Sequence, residues 1–239
     1  MSRFEGNLGT HLLLLLVAVI WGTTWAVARF LSYGLDESTG ANLEPATAAW
    51  LRYLVVVIAF VAWCWAYRNR NGPRMLPHDS RSWRYTVWLG LLGTMAYQLL
   101  FMHGMKWTAA GDASLIIPVN PVFTVLLAAP MLGQKVTRRM AFGLLLGIVG
   151  VSVVVGWSPN TDIPFEHRLL GDAMIVLAAL AWATNSNLTK IALEEDGIGT
   201  TEELVIWYSI VGWIMLTPWM LAEIWSSGIP NPNTAEWGS

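Results

Sequence analysis

Charge is what this sequence has least of: Asp, Glu, Lys and Arg make up 13% of its 239 residues, where a soluble domain carries about 25%. Cysteine is nearly absent too. Cys64 is the single one, which excludes an intramolecular disulfide and reads as a small core residue. Carboxylates are missing from the interiors of the long apolar runs, since Asp112 and Asp172 fall at run ends and Glu202, Glu203 and Glu223 at boundaries. A proton relay through membrane-embedded acids therefore has little support. A phosphate-binding loop of the Walker type is lacking, so the chain is not expected to hydrolyse nucleotide itself. Metal-ligand spacing of His, Cys or carboxylates is lacking as well. His103 stands alone as a structural histidine, and neither a metal nor a cofactor is expected. With a net charge of −2, nothing points to nucleic acid as a partner.

What is present is apolar: 55% hydrophobic residues, 15 Trp and a mean hydropathy of +0.49. A span needs roughly 20 mostly apolar residues, and inside hydrocarbon its backbone groups must be satisfied within a helix or a closed barrel. Runs of that length predict an all-α polytopic membrane protein with the lipid bilayer as its surroundings. Seven spans are expected: 12–31, 46–66, 86–105, 114–132, 142–157, 169–191 and 204–225.

Lys and Arg in the connections set the orientation. With the N-terminus cytoplasmic, the inner segments hold Arg3, Arg68, Arg70, Arg74, Arg81, Arg84, Lys135, Arg138, Arg139 and Lys190, and the outer ones only Lys106 and Arg168. The expected location is the cell membrane, multi-pass, with the N-terminus inside. The basic connection from Arg68 to Arg84 reads first as a topogenic loop, with a lipid-headgroup role as the alternative. Ala26-Val27-Ala28 resembles a signal-peptide cleavage site, but the weak positive region before it favours a retained helix.

The chain restarts its own pattern. LLLLLVAVIWGTTWAVAR near the N-terminus is echoed by IVLAALAWATNSNLTK, with Trp21 matching Trp182 and Arg29 matching Lys190 at one offset of 161 residues. In this topology the two segments cross the membrane in opposite directions, a repeat device of transporters that places a substrate site near the midplane.

Trp21, Trp25 and Arg29 share one helix face, with Thr24 beside them, and Trp182, Ser186 and Lys190 do the same with Asn185 alongside. Cavity lining is the favoured reading of this polar face, and interhelical packing the alternative; Arg29 and Lys190 are expected to snorkel to opposite surfaces. Arg52, about two turns below an outer helix end, is either an anchor at the mouth or a charge aimed at an anionic substrate group. Tyr97 and Gln98 interrupt an apolar run near its middle. Pro118, Asn120, Pro121 and Pro130 predict a broken helix beside a cavity, with a packing kink as the alternative. Gly143, Gly147 and Gly150 make a small-residue stripe for packing within the chain, or for a homodimer. Asn187-Leu188-Thr189 matches a glycosylation sequon inside a span and is discounted.

Pro45 with Trp50-Leu51-Arg52, Tyr97-Gln98 with Phe101, Ala113-Ser114-Leu115-Ile116, Pro121-Val122-Phe123-Thr124, Leu132-Gly133 with Val136-Thr137, and Leu170-Gly171-Asp172 with Trp182-Ala183 occur in this order. Together they resemble the EamA-type drug/metabolite transporter family over nearly the whole chain. The resemblance implies a ten-span carrier of two inverted five-helix repeats that moves small metabolites such as amino acids by alternating access through a central cavity. A family Glu after Leu-Gly is Gln134 here. Residues 1–157 then form the first repeat and residues 158–239 a partial second one, with two spans and an outer loop, so the chain reads as lacking three helices. Substrate-pathway candidates are Trp21, Thr24, Trp25, Arg52, Tyr97, Gln98, Asn120, Trp182, Asn185 and Ser186. No catalytic residue is expected. A membrane enzyme would need a cluster of reactive groups at one depth, and a retinal protein a Lys in the last span, where there is none. Membrane enzyme and seven-span receptor remain the alternative classes.

Overall fold

The computed structural model describes residues 8–33, 43–67, 80–157, 163–195 and 200–227. Among them there is helix and no strand, as expected where main-chain groups must bond within their own segment. The chain is an all-helical polytopic membrane protein. Seven helical rods follow one another: Leu8–Tyr33, Pro45–Tyr67, Ser80–Trp107, Ala110–Leu132, Arg138–Trp157, Phe165–Lys190 and Thr201–Ser227. The fifth has 20 residues, about 30 Å at 1.5 Å per residue. The other six are long and apolar enough to cross a membrane.

Several helices begin before their apolar part. The third starts at Ser80 and includes Arg81 and Arg84; the sixth starts at Phe165 and takes in Arg168. Hydropathy marks only the hydrocarbon-depth portion, whereas main-chain bonding continues through polar residues into the headgroup zone. Expectations for the Arg29 side chain, the connection over 68–79 and the segment after Ser227 lie outside the described residues.

Local chemistry sets the other boundaries. Gly133, with φ of 64°, ends the fourth helix in the left-handed conformation, its N–H donating to Ala128 O. Thr200 and Glu203 form a reciprocal capping box on the seventh helix: Glu203 N–H donates to Thr200 Oγ1 and Thr200 N–H to Glu203 Oε2, both at 3.3 Å.

The third helix is central. It packs against the second, sixth and seventh, and its middle, Gly90–Ala96, widens into a π-helix between the α-helical stretches Ser80–Leu89 and Tyr97–Trp107. Glycines allow the close approach there. A Cβ on Gly212 of the seventh helix would press on Thr94 and lie 2.7 Å from Gly90 O. Phe101, Met102, Met105, Ile116, Ile175 and Leu216 fill the main core, and Leu89, Ala192, Leu204 and Tyr208 a smaller one towards the other end. The fourth helix runs against the sixth, where Asn187 Nδ2 donates to Thr124 O at 3.0 Å. The sequon asparagine is thus a buried interhelical tie. Of the glycine stripe, Gly147 meets Val122, while Gly143 and Gly150 face open space among the described residues.

The fourth helix is interrupted less than its prolines predict. A single 3-10 turn, Ile117–Val119, joins two α-helical parts at the Pro118–Pro121 cluster, while Pro130 lies inside the second part without ending it.

Candidate functional site

A cavity of about 300 Å³ lies among the first, second, third, fourth and sixth helices. Three of its sides are aromatic. The first helix contributes Trp21 and Trp25, the third Tyr97 and Phe101, and the sixth Trp182. These rings hold one another: Tyr97 stacks on Phe101 at 5.9 Å between centroids, Tyr97 meets Trp182 at 5.2 Å, and Trp25 meets Phe101 edge-on at 5.4 Å. Ile117 and Asn120 add a wall from the fourth helix, on either side of the 3-10 turn. Trp21 is 67% exposed, so the cavity is open on the first helix's side.

Polar groups are few and directed. Arg52 of the second helix extends over the Phe101 ring, with 5.6 Å from Cζ to the centroid, and its Nη1 donates to Gln98 Oε1 at 3.3 Å and to Met102 Sδ at 3.6 Å. No carboxylate among the described residues pairs with it. Asn120 Oδ1 is buried with no hydrogen-bond partner among the described residues. Thr24 Oγ1 donates back to Ile20 O at 3.1 Å. A guanidinium without a carboxylate, an orphaned amide oxygen and ring faces together can hold a small molecule bearing both signs of charge.

Trp21, Thr24, Trp25, Arg52, Tyr97, Gln98, Asn120 and Trp182, all singled out from the sequence, line this one cavity. Asn185 and Ser186 do not. They lie about one turn further along the sixth helix, roughly 5 Å, where the third helix closes onto the sixth. Asn185 is buried, its amide packed against Gly93. Ser186 Oγ donates to Trp182 O at 2.9 Å. Tyr53 and Ile117 also line the cavity and were not picked out from the sequence; Phe101 entered only through the resemblance.

A second polar group ties the helix ends where the second helix begins. Glu223, from the seventh helix, accepts from the N–H groups of Ala46 at 2.8 Å and Thr47 at 2.7 Å, and from Thr47 Oγ1 at 3.0 Å. Lys106 pairs with Glu44 at 3.1 Å. Nearby in sequence, Thr108 donates to Asp172, and Arg168 Nε stands 3.9 Å from Asp112 Oδ2, all four side chains being buried. Arg168 was read as a connection residue; as part of the sixth helix it is a buried interhelical charge. At the opposite end Lys190 is exposed and pairs with Glu194 at 3.7 Å. His103 Nδ1 bonds Leu99 O at 2.8 Å, the role expected of a structural histidine. Cys64 is buried and free.

The chain is similar to known transporters. The model of the EamA-like transporter family matches residues 8–156. An uncharacterized transporter of Archaeoglobus fulgidus is 30% identical over 231 residues, covering 95% of this chain and 71% of its own length. A probable amino-acid metabolite efflux pump of Salmonella typhimurium is 28% identical, covering 95% of this chain and 66% of the pump. A probable terminal-alkyne amino-acid exporter of Streptantibioticus cattleyicolor is 32% identical over 166 residues, which is 70% of this chain and 49% of the exporter. The chain thus spans between half and seven tenths of the length of these relatives.

Proposed function

The chain belongs to the EamA-like transporter family, and on that premise we propose that it moves amino acids or closely related small metabolites across the cell membrane by alternating access through the cavity around Arg52. The observation that carries this reading is the Arg52 guanidinium, which lies over Phe101 and bonds Gln98 with no carboxylate partner among the described residues. A planar fork of donors at membrane depth suits a substrate carboxylate, which it can hold by two parallel bonds. Asn120 Oδ1 is the matching acceptor for an ammonium group, and the faces of Tyr97 and Trp182 add cation-π attraction. Two relatives are named as carrying amino acids or their metabolites outward, which supports export as the direction.

Alternating access is supported by the sequence echo between the Trp21 and Trp182 segments, which cross in opposite directions in this topology, as the halves of inverted-repeat carriers do around a midplane site. The N-terminus is cytoplasmic in this reading, which the Lys and Arg distribution supports.

The test is counterflow in proteoliposomes preloaded with unlabelled amino acids, following uptake of trace radiolabel. Accumulation that one or a few amino acids support, and that empty vesicles lack, is the expected result. Counterflow with none of them would sink the substrate class. Single-cysteine labelling on a Cys64→Ser background checks the topology: a probe at Arg84 is expected to react only from the cytoplasmic side, and reaction from outside would overturn the inverted arrangement.

A further inference from the structure

A second cavity, of about 370 Å³, opens at the end of the bundle opposite Glu223, between the start of the third helix and the end of the sixth. Its walls are Arg81, Arg84, Tyr85 and Trp88 from the third helix and Leu188 from the sixth. On a helix the first four, at i, i+3, i+4 and i+7, make one continuous face. The rotation of that face is fixed from behind, because Thr86 and Leu89 are buried and Trp83 meets Trp207 of the seventh helix at 6.4 Å. Arg84 and Trp88 are therefore left exposed. No acidic residue among the described ones pairs with Arg84, and Glu194, at the same end, is taken by Lys190 of its own helix at 3.7 Å.

We propose that this cavity binds the phosphate of an anionic phospholipid from the cytoplasmic leaflet. The side chains are graded by depth in the way an amphiphile requires. Two guanidiniums sit in the first turns of the helix, and Trp88 lies seven residues in from Arg81, about 10 Å deeper. Guanidinium forks match phosphate oxygens. Tyr85 and Trp88 are the amphipathic rings that settle at headgroup level, and Leu188 continues the wall as apolar surface for an acyl chain. Inorganic phosphate would use the arginines and leave the deeper wall empty. The anionic lipids of the cytoplasmic leaflet supply both halves of the ligand and lie on the side where the basic residues place this end. The site is independent of what the cavity around Arg52 carries.

The experiment is thermal unfolding of the purified full chain in detergent, followed by tryptophan fluorescence, with dioleoylphosphatidylglycerol, dioleoylphosphatidylcholine or inorganic phosphate added. Phosphatidylglycerol is expected to raise Tm by about 5 °C at a hundredfold excess over its Kd, and the other two to leave it within 1 °C or so by the same linkage. The shift should disappear in R81Q/R84Q, persist in part in R84K, and remain whole in R139Q, which removes an exposed arginine of the fifth helix at the same end. Native mass spectrometry supplies a second reading, with bound phosphatidylglycerol lost from R84Q relative to R139Q. Equal shifts with phosphatidylcholine, an equal loss in R139Q, or a shift reproduced by inorganic phosphate would each overturn the proposal. The first would mean general lipid solvation, the second diffuse charge, and the third a free-anion site.

Discussion

Arg52 donates to Gln98 at 3.3 Å, joining the second helix to the third across one wall of the aromatic cavity. Arg52 therefore holds the cavity wall through Gln98 and, in the function proposed above, also meets the ligand. Arg52→Gln removes the charge and is expected to lower transport roughly ten- to hundredfold, the loss of a charged hydrogen bond of ~1.5–3 kcal/mol. Arg52→Lys keeps the charge without the fork and should fall between the two. Gln98→Ala leaves the guanidinium in place and should raise KM more than it lowers the maximal rate. Cys64→Ala, outside the cavity, is the control. Proteoliposome kinetics read all four, and a Gln variant with wild-type KM would remove Arg52 from the substrate path.

Glu223 joins the start of the second helix to the end of the seventh. Its carboxylate meets two of the N–H groups that a helix start leaves without partners, where the helix dipole favours negative charge. Glu223→Ala should destabilise the fold by ~1 kcal/mol or somewhat more. Glu223→Gln, which keeps one acceptor, should cost less. Thermal unfolding in detergent orders the three proteins. Equal stability of Glu223→Ala and the wild type would mean that water replaces the carboxylate at no loss.

These two ties show where reading by sequence works and where it stops. Helical spacing brings Trp21, Thr24 and Trp25 to one face, and prolines mark the fourth helix near Asn120, so most of the cavity wall was legible in local pattern. Tyr53 carries no local signal, being an aromatic among aromatics that enters the cavity through its neighbour's position. Glu223 stands 177 residues from Ala46, and nothing in either segment names the other. Arg168 was misplaced because hydropathy falls before helical bonding ends. The π-helix at Gly90–Ala96 was invisible for a related reason: its glycines look like packing residues, and the extra width shows only in main-chain bonding.

The glycines predict unequal tolerance. On Gly212 a methyl group would press on Thr94 and on the backbone oxygen of Gly90, neither of which can turn away as a flexible side chain would. Gly212→Ala should cost ~1–3 kcal/mol by overpacking. Gly150 meets nothing within 4 Å, so Gly150→Ala should be neutral or slightly stabilising through helix propensity. Comparison of the two melting temperatures checks the crossing directly, and equal tolerance would mean that the helices can separate there at little cost.

The buried group of Thr108, Asp112, Arg168 and Asp172 provides a test of coupling between the third-to-fourth helix junction and the sixth helix. Its two carboxylates and one guanidinium are each less than a tenth exposed, and they come from the junction of the third and fourth helices and from the start of the sixth. Removing the cation alone, as Arg168→Met, leaves two acids in a poorly solvated place, and breaking a buried pair in this way costs ~3–5 kcal/mol. If Asp112 is the main partner, adding Asp112→Asn should recover part of that loss, because the second charge no longer needs compensation. A double-mutant cycle on unfolding free energies should then give a coupling of ~1 kcal/mol or more, within the range for residues in contact. Additive losses would mean that Arg168 acts through Asp172 instead, and a second cycle with Asp172→Asn would carry the coupling. Asp172 has the added tie to Thr108, so Thr108→Ala should weaken the group even with every charge retained, a cost of ~1–3 kcal/mol for an acceptor left unpaired in the interior. The ordering expected is Arg168→Met worst, Thr108→Ala intermediate and the Arg168→Met/Asp112→Asn pair milder than the single arginine loss, an order that a merely solvated cluster of charges would not produce.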